Sequence, residues 1–255
     1  MKKKMLMLGV ALTMATALYA QEYKLAKSSG RLEIKEVNNV SIEGYAGSEI
    51  VFSSMDRSRE KDSRAAGLRA VSSMGLEDNT GLGLAVLDKG ATYEVYQLKK
   101  MDGPHVKIMV PKGVTVYYSH TSPYGSDINF KNVEGEIEVT TVHNGVHLEN
   151  VTGPMDVKTV HGEIEADFGA NIKGPVSLKS THGLVDVTIP LATKANMNMG
   201  TSYGEIFVDP AIKLEIEPKS EWVKYGSNKV SGKINGGGLD FTLASTHNNI
   251  YLRKK

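Results

Sequence analysis

The stretch Thr159-Val160-His161-Gly162-Glu163-Ile164-Glu165-Ala166-Asp167-Phe168 contains the two patterns that decide the fold. Its first four residues form a phrase in which a small hydroxyl residue, a variable residue, a ring residue and a Gly or Asn follow one another. The next six residues alternate between charged and apolar side chains, as in a strand with one buried face. The stretch therefore predicts a corner that leads into a half-buried β-strand.

This phrase recurs along the second half of the chain. Its ring residues are Tyr124, His143, His161, His182, Tyr203 and His247. Up to Tyr203 they follow one another at intervals of 18 to 21 residues, and the last interval, 44 residues, is about two periods. A fixed period of this size is typical of stacked repeats, in which each unit buries its apolar face against its neighbours.

Each repeat contains a second alternating segment before the hydroxyl residue. Ile137 and Val139, and later Val176 and Leu178, are the apolar members of such segments. Two strands per repeat predict an all-β chain, folded as a single-stranded parallel β-solenoid (a β-helix or β-roll) with about 18–22 residues per coil. Irregular N-terminal strands and a C-terminal capping segment are expected to flank the coils, because an open end would expose an unpaired edge.

The N-terminus has the pattern of a secretory signal peptide at residues 1–20. Lys2, Lys3 and Lys4 precede an apolar run, and cleavage is expected after Ala20. The run is shorter than the roughly 20 residues that a membrane-spanning helix needs. The sequence therefore predicts an exported protein that is periplasmic, located at the outer surface or secreted, with no transmembrane segment in the mature chain.

The mature chain divides into two regions. Residues 21–120 are predicted to form N-terminal β-strands, with a charged loop or short helix at 55–72. Residues 121–255 contain the solenoid repeats, with an insertion near 209–237 whose Trp222 is expected to cover the end of the core. The Asp-, Asn- and Gly-rich segment 75–83 is interpreted as a turn. A strand and not a helix follows it, which argues against a phosphate loop, and it lacks the ligand spacing of a calcium loop.

Composition excludes several kinds of site. The chain has no cysteine, so disulfides and thiolate metal sites are excluded. Removal of Lys2, Lys3 and Lys4 changes the formal net charge from +1 to −2, which provides no basic field for nucleic acid. No motif indicates a cofactor.

Several segments resemble a family of bacterial β-strand-repeat proteins known as the putative-adhesin family, a domain of unknown function, in its Bacteroidetes type. The segments that carry the resemblance are residues 133–139, 159–165 and 236–252, with residues 67–69 and 75–83 in the N-terminal region. The resemblance implies an exported β-solenoid of adhesion type. It implies no catalytic residues, and it differs in having His-Gly or Tyr-Gly where the family usually has Asn-Gly.

The six ring residues are interpreted as a structural ladder. In-register coils would stack Tyr124, His143, His161, His182, Tyr203 and His247 at one corner, where aromatic packing explains them. The alternative is a transition-metal site shared by neighbouring imidazoles. Because Tyr flanks the histidines and its phenol is a poor zinc ligand, stacking is preferred and no metal is predicted.

Carboxylates are predicted to form an outer acidic face. Strand alternation directs eight of them outward, namely Glu136, Glu138, Glu149, Asp156, Glu163, Glu165, Asp167 and Asp186. Calcium could bridge carboxylates on successive coils. The preferred interpretation is that these charges keep the solenoid soluble and prevent sideways pairing.

No catalytic residues are predicted. The carboxylates are spread evenly rather than paired, and no Gly-x-Ser-x-Gly nucleophile motif is present. The sequence favours a non-enzymatic structural or adhesion-type module that binds an envelope polymer, a glycan or a protein. The alternative function is a polysaccharide-binding or polysaccharide-active β-helix, which a groove with aromatic side chains beside close carboxylates would favour.

Overall fold

The computed structural model describes residues 22–56, 63–216 and 228–255. This part of the chain contains twenty-one β-strands and one 3₁₀ turn, Ser63–Ala65, which lies in the charged segment 55–72. The all-β prediction is confirmed. The predicted signal peptide at 1–20 and Trp222 lie outside the described residues.

The strands follow one another with short connections. The first eight are β1 (Glu22–Leu25), β2 (Ser29–Lys35), β3 (Asn39–Tyr45), β4 (Ile50–Ser54), β5 (Leu84–Asp88), β6 (Thr92–Gln97), β7 (His105–Pro111) and β8 (Gly113–His120). The repeat region begins with β9 (Ile128–Lys131), β10 (Ile137–Thr141), β11 (Val146–Val151), β12 (Met155–Thr159), β13 (Ile164–Phe168), β14 (Val176–Ser180) and β15 (Val185–Ile189). The last six are β16 (Ala195–Thr201), β17 (Ile206–Val208), β18 (Leu214–Ile216), β19 (Asn228–Ile234), β20 (Leu239–Ser245) and β21 (Ile250–Lys254).

The strands form two long sheets. The ten-stranded sheet, called sheet A, has the order β1-β4-β7-β3-β9-β11-β13-β15-β21-β17. The eleven-stranded sheet, called sheet B, has the order β18-β19-β16-β20-β14-β12-β10-β8-β2-β6-β5. From β8 to β17 each strand lies in the opposite sheet from the strand before it. One sequence repeat therefore supplies one strand to each sheet.

Equivalent positions of the repeats lie opposite one another in parallel register. Val146 on β11 pairs with Ile164 on β13, and Ile164 pairs with Val185 on β15. In sheet B, Ile137 on β10 pairs with Met155 on β12. Antiparallel pairs occur toward the two ends of the sheets, such as β4 with β7 and β16 with β19. A step of 18 to 21 residues along the chain is thus a step of one strand, about 4.8 Å, across a sheet.

The core lies between the sheets and is built by strand alternation. On β13, Ile164, Ala166 and Phe168 are buried while Glu165 and Asp167 face outward. The same alternation runs through β10, β12 and β14 in sheet B. Because the side-chain period of a strand is two residues, the outer faces follow directly from the choice of core residues.

The hydroxyl residue of each phrase fastens the corner between a sheet B strand and the next sheet A strand. Thr141 donates from Oγ1 to the carbonyl oxygen of Asn144 at 2.7 Å, and Thr159 does the same to Gly162 at 2.6 Å. Ser180 donates to the same Gly162 oxygen at 3.0 Å, which joins two neighbouring corners. A Cβ atom on Gly162 would overlap the Asn144 carbonyl, so this position requires glycine. The recurring phrase therefore encodes a closely stacked corner.

The last two strands of the chain, β20 and β21, lie inside the sheets, whereas β18 and β19 of the predicted insertion lie at the end of sheet B. β20 pairs with β14 on one side and with β16 on the other, and β21 lies between β15 and β17. The insertion that supplies β18 and β19 carries the chain past β16, and β19 pairs antiparallel with β16 at the end of sheet B. Because β20 and β21 repeat the register of the other coils, they can bond along both edges. The three-residue β17 is left at the end of sheet A.

The N-terminal strands show the same interleaving. β2 pairs in parallel with β6 and β8, and β3 pairs in parallel with β7 and β9. The first strands of the chain therefore separate β6 and β7 from the later repeats. The strands β2 and β3 near the N-terminus, and β20 and β21 near the C-terminus, are therefore each held on both sides by strands that are distant in sequence.

Phe241 tests the interior position of β20. It is 0% exposed and packs edge-on against Phe168 with ring centroids 5.6 Å apart. We expect Phe241→Ala to lower the free energy of unfolding by about 3–5 kcal/mol. The substitution leaves a cavity inside the core, on a strand with β14 on one side and β16 on the other. Phe207→Ala, on the end strand β17 with the ring 44% exposed, should cost less than about 1 kcal/mol. Equilibrium denaturation of the mature chain measures both, and equal losses would contradict the interior placement of β20.

Candidate functional site

The ring residues of the phrase form one stack at the corner that leads from sheet B to sheet A. Neighbouring ring centroids are 5.6 Å apart for His143 and His161, and 4.9 Å apart for His161 and His182. They are 4.6 Å apart for His182 and His247, and 4.9 Å apart for His247 and Tyr203. All four pairs are stacked with ring planes within 14° of parallel.

Two details of the predicted ladder are different in the structure. His247 lies between His182 and Tyr203, because β20 and β21 are inserted between the two repeats that carry those rings. Tyr124 makes no ring contact with His143 in the described residues. It lies four residues before β9, whereas His143 lies three residues before β11, so its position in the corner is shifted.

The stacking geometry favours the structural interpretation of this ladder. The nitrogen lone pairs of imidazoles lie in the ring planes, so stacked parallel rings keep them in separate parallel planes, whereas a metal needs ligand atoms that converge at about 2.0–2.1 Å. Within the ranges 22–56, 63–216 and 228–255, no group of three or more His, Asp or Glu side chains is arranged to hold a metal ion.

The predicted turn at 75–83 closes on its own carboxylate. Asp78 accepts hydrogen bonds from the backbone N–H groups of Thr80, Gly81 and Gly83 at 2.8–3.0 Å. β5 begins at Leu84, directly after it. The segment is therefore a self-capped turn that leads into a strand, and its carboxylate already has protein partners.

The eight predicted carboxylates do not share one outer face, because the repeats distribute them over both sheets. Glu138 and Asp156 lie on sheet B, and Glu149, Glu165, Asp167 and Asp186 lie on sheet A, while Glu136 and Glu163 directly precede β10 and β13. The expectation of a single acidic face is corrected accordingly. The physical reason is that successive strands alternate between sheets whose outer faces point in opposite directions.

The outer face of sheet B carries an ion-pair network centred on β2. Arg31 donates to both carboxylate oxygens of Glu138, at 2.6 and 2.9 Å, and to Glu33 at 2.8 Å. Lys35 pairs with Glu33 at 2.8 Å and with Glu94 at 2.7 Å. The hydrogen bond from Arg31 lowers the pKa of Glu138, and the one from Lys35 is the main cause of the lowered pKa of Glu33. This network ties strands β6, β2 and β10 together across β8.

The outer face of sheet A contains an open groove of about 450 Å³. It crosses β9, β11, β13, β15 and β21, and its polar side chains include Lys131, His147, Glu149, Glu165, Asp186 and Arg253. This is called the sheet A groove below. The paired register places His147 beside Glu165 and Glu165 beside Asp186, so these side chains form a row across neighbouring strands.

Ion pairs hold most carboxylates of the groove. Lys131 Nζ lies 2.7 Å from Glu149 Oε1. Arg253 binds both oxygens of Asp186, with Nε 2.7 Å from Oδ1 and Nη2 2.8 Å from Oδ2. A third pair at the border of the groove joins Lys255 Nζ and Asp167 Oδ1 at 2.9 Å. The face predicted to be acidic is therefore largely neutralised by cations from neighbouring strands.

His147 is held between two carboxylates. Its Nδ1 lies 3.0 Å from Glu165 Oε2, and its Nε2 lies 3.4 Å from Asp127 Oδ2. Asp127 is itself oriented by the backbone N–H of Gly145, which donates to Oδ1 at 2.6 Å. Both ring nitrogens face carboxylates, so neither is left to activate a hydroxyl nucleophile.

An aromatic pair continues the row beyond Asp186. Tyr251 on β21 stacks on Phe207 of β17 with centroids 5.2 Å apart and planes 11° apart. The Arg253 guanidinium lies 5.2 Å from the Tyr251 ring centroid, on the side of the groove. Phe207 belongs to the last strand of sheet A and is 44% exposed. The row thus passes from charged side chains to apolar rings.

Sequence reasoning missed the cations and the histidine of the groove. His147 could have been found, because it precedes Glu165 by 18 residues, the same interval that separates His143 from His161. Arg253 could not have been found from the sequence, because its position beside Asp186 depends on the pairing of β21 with β15.

A buried histidine was also missed. His120, at the end of β8, is 0% exposed and pairs in register with Thr141, so it occupies the hydroxyl position of the corner column. Its Nε2 lies 3.1 Å from Asn38 Oδ1, and its ring stacks on Tyr118. Nδ1 has no hydrogen-bond partner among the described residues. Burial lowers the pKa of His120.

Comparisons with known proteins give the following matches. A family model, Toastrack DUF4097, matches residues 12–252. The chain is similar to a solved structure described as a putative cell adhesion protein from Clostridium sporogenes, with 11% identity, a TM-score of 0.45, and coverage of 93% of this chain and 100% of that one. It is also similar to a putative adhesin from Bacteroides fragilis, with 12% identity, a TM-score of 0.33, and coverage of 94% and 98%. No curated protein matches the sequence.

In the part of the chain that the structure describes, no helix has the length and apolar character needed to cross a membrane.

His120 gives a prediction about acid stability. Because its pKa is lowered in the folded chain, the unfolded chain binds a proton first as the pH falls below the ordinary histidine value of about 6.5. The contribution of His120 to the free energy of unfolding is therefore complete above about pH 6.5, and it is lost as the pH falls toward the lowered pKa of the folded chain. We expect the free energy of unfolding to decrease less between pH 7.5 and pH 5.5 in His120→Gln than in the unmodified chain.

Chemical denaturation at the two pH values measures this difference. The glutamine amide can still donate to Asn38, so the variant removes the titrating ring and keeps a donor. His161→Gln, which removes an exposed ladder ring, is the matched control. Identical pH dependence of His120→Gln and the unmodified chain would show that the buried imidazole does not contribute.

Proposed function

The chain belongs to the Toastrack DUF4097 family, and from this premise we propose that it is an exported, non-enzymatic binding module of the adhesion type. Its binding surface is the sheet A groove. The partner is an extended polymer or polypeptide of the cell envelope or surface. The pattern of a signal peptide at residues 1–20 supports the exported location.

We interpret the two sheets as the walls of one β-solenoid. The alternation of strands from β8 to β17 and their parallel register support a chain that winds in coils, with one strand of each coil in each sheet. Such a fold presents long faces on which the same strand position recurs at each coil. A long face of this kind suits an extended partner better than a compact one.

The observation that carries the proposal is the sheet A groove itself. It has a volume of about 450 Å³ and is lined by side chains from adjacent strands that are paired in register. Its polar groups are already oriented by ion pairs, such as Arg253 with Asp186. Side chains that are held in place lose little conformational entropy when a partner binds, which favours recognition.

The chemistry of the groove supports binding rather than catalysis. A general base needs a free basic nitrogen or oxygen beside the group that it deprotonates. Both nitrogens of His147 face carboxylates, and Arg253 binds both oxygens of Asp186. The stacked ring ladder adds structural support at the corner and supplies no converging ligands.

Thr188 and Thr140 provide a test that does not depend on the chemistry of the partner. Thr188 lines the groove on β15, and Thr140 faces outward on β10 of sheet B. We expect the purified mature chain to co-sediment with envelope fragments of the cells that produce it. Thr188→Tyr should reduce this binding by about tenfold or more by filling the groove, while Thr140→Tyr should leave it unchanged.

Equal binding of the two variants to envelope fragments would show that the binding surface is not the sheet A groove. No binding by the unmodified chain, or mature protein that remains in the cytoplasmic fraction, would overturn the proposed function. Both variants place a tyrosine on an outward strand position, where aromatic residues are well tolerated, so their stabilities are expected to be similar.

A further inference from the structure

We propose that the ligand of the sheet A groove is an uncharged, hydroxyl-rich polysaccharide strand that lies across the strands, from Asn129 toward Phe207. This inference rests on the proposed function, since it names the class of partner for the same groove. It follows from the charge balance of the groove, the polar atoms left open in it, its length and the rings at one end.

The charge balance favours an uncharged ligand. Lys131 pairs with Glu149, Arg253 with Asp186, and Lys255 with Asp167 at the border of the groove. A polyanion would have to compete with these carboxylates for the cations, and a polycation would have to compete with the cations for the carboxylates. A neutral ligand can bind while every pair remains intact.

Several polar atoms are open to such a ligand. Glu149 binds Lys131 through Oε1, and Glu165 binds His147 through Oε2, so Glu149 Oε2 and Glu165 Oε1 have no protein partner among the described residues. Arg253 uses Nε and Nη2 for Asp186, which leaves the N–H groups of Nη1. Carboxylate acceptors beside cationic donors match a ligand whose hydroxyl groups both donate and accept.

The length of the row favours a polymer over a small molecule. The in-register positions Asn129, His147, Glu165, Asp186, Tyr251 and Phe207 lie on six neighbouring strands. At a strand spacing of about 4.8 Å this row is roughly 24 Å long. That distance accommodates several linked sugar rings, and each strand offers at least one outward side chain to them.

The rings at the end of the row add an apolar contact. Pyranose rings have an apolar C–H face that packs on aromatic carbon, and Phe207 is 44% exposed with its other face stacked on Tyr251. Carboxylates on one part of the row and an aromatic pair on the next give the combination of polar and apolar contacts that a sugar chain requires.

Two neutral and two charged hexasaccharides test this inference with the mature chain. Chitin hexasaccharide is neutral and chitosan hexasaccharide is cationic, whereas glucose hexasaccharide is neutral and polygalacturonate hexasaccharide is anionic. Titration calorimetry with all four should show binding of at least one neutral member that is tighter than binding of its charged counterpart. The difference should persist at 0.5 M salt.

Two variants connect the binding to the groove. Glu165→Ala removes an open acceptor, and it should weaken binding of the neutral hexasaccharide by about tenfold. Asp156→Ala is the matched control, because Asp156 is a similarly exposed carboxylate paired with Lys158 on the opposite sheet. It should bind as the unmodified chain does. Phe207→Ala should also weaken binding, through loss of the apolar contact.

The outcomes separate this inference from the proposed function. Failure of both neutral oligosaccharides to bind, with envelope binding still lost in Thr188→Tyr, would overturn the ligand class and leave the binding module intact. The proposed ligand class would also be overturned if a charged hexasaccharide bound more tightly than its neutral counterpart, or if Glu165→Ala and Asp156→Ala lost the same affinity for the neutral hexasaccharide. If Glu165→Ala shows no thermal unfolding transition, Phe207→Ala becomes the test variant. Unchanged binding of the neutral hexasaccharide by Phe207→Ala would then contradict the inference.

Discussion

The close approach of neighbouring corners is the constraint on which the rest of the structure depends. Thr159 and Ser180 both donate to the carbonyl oxygen of Gly162, and no side chain fits at Gly162 because the Asn144 carbonyl lies against it. Once the corners are fixed at this spacing, the strands on either side must pair in parallel and in register. The register then stacks equivalent side chains on both faces of each sheet, so the core and the outer rows have the same origin.

Strands from near both termini are inserted between other strands of the sheets. β20 and β21 lie between two earlier repeats, and β2 and β3 lie between β6 and β7 on one side and β8 and β9 on the other. A strand that bonds along both edges cannot leave without breaking two ladders, and it does not present an open edge to other chains. The ends of the sheets are formed instead by the antiparallel strands β1, β5 and β18, and by the short β17.

The same interleaving creates the sheet A groove. Arg253 and Tyr251 reach Asp186 only because β21 is placed beside β15, and Phe207 meets Tyr251 only because β17 follows β21. The groove therefore combines side chains from repeats that are adjacent in space but distant in the chain. Its carboxylates, which look like a free acidic row in the sequence, are paired with cations, and this pairing favours the proposed neutral polymer over the calcium alternative.

The sequence by itself determined the all-β class, the spacing of the repeats, the inward and outward positions on most repeat strands, and the stacking of His143, His161 and His182. These features depend on local periodicity, which a strand converts directly into geometry. Only the tertiary structure decided the order of strands in the sheets, the place of His247 in the ladder and the partners of the carboxylates. The physical reason is that every repeat has nearly the same pairing edges, so local pattern cannot specify which neighbour a strand takes. That choice depends on the packing of the whole chain, including the segment that carries β18 and β19 past β16 before the last two strands return.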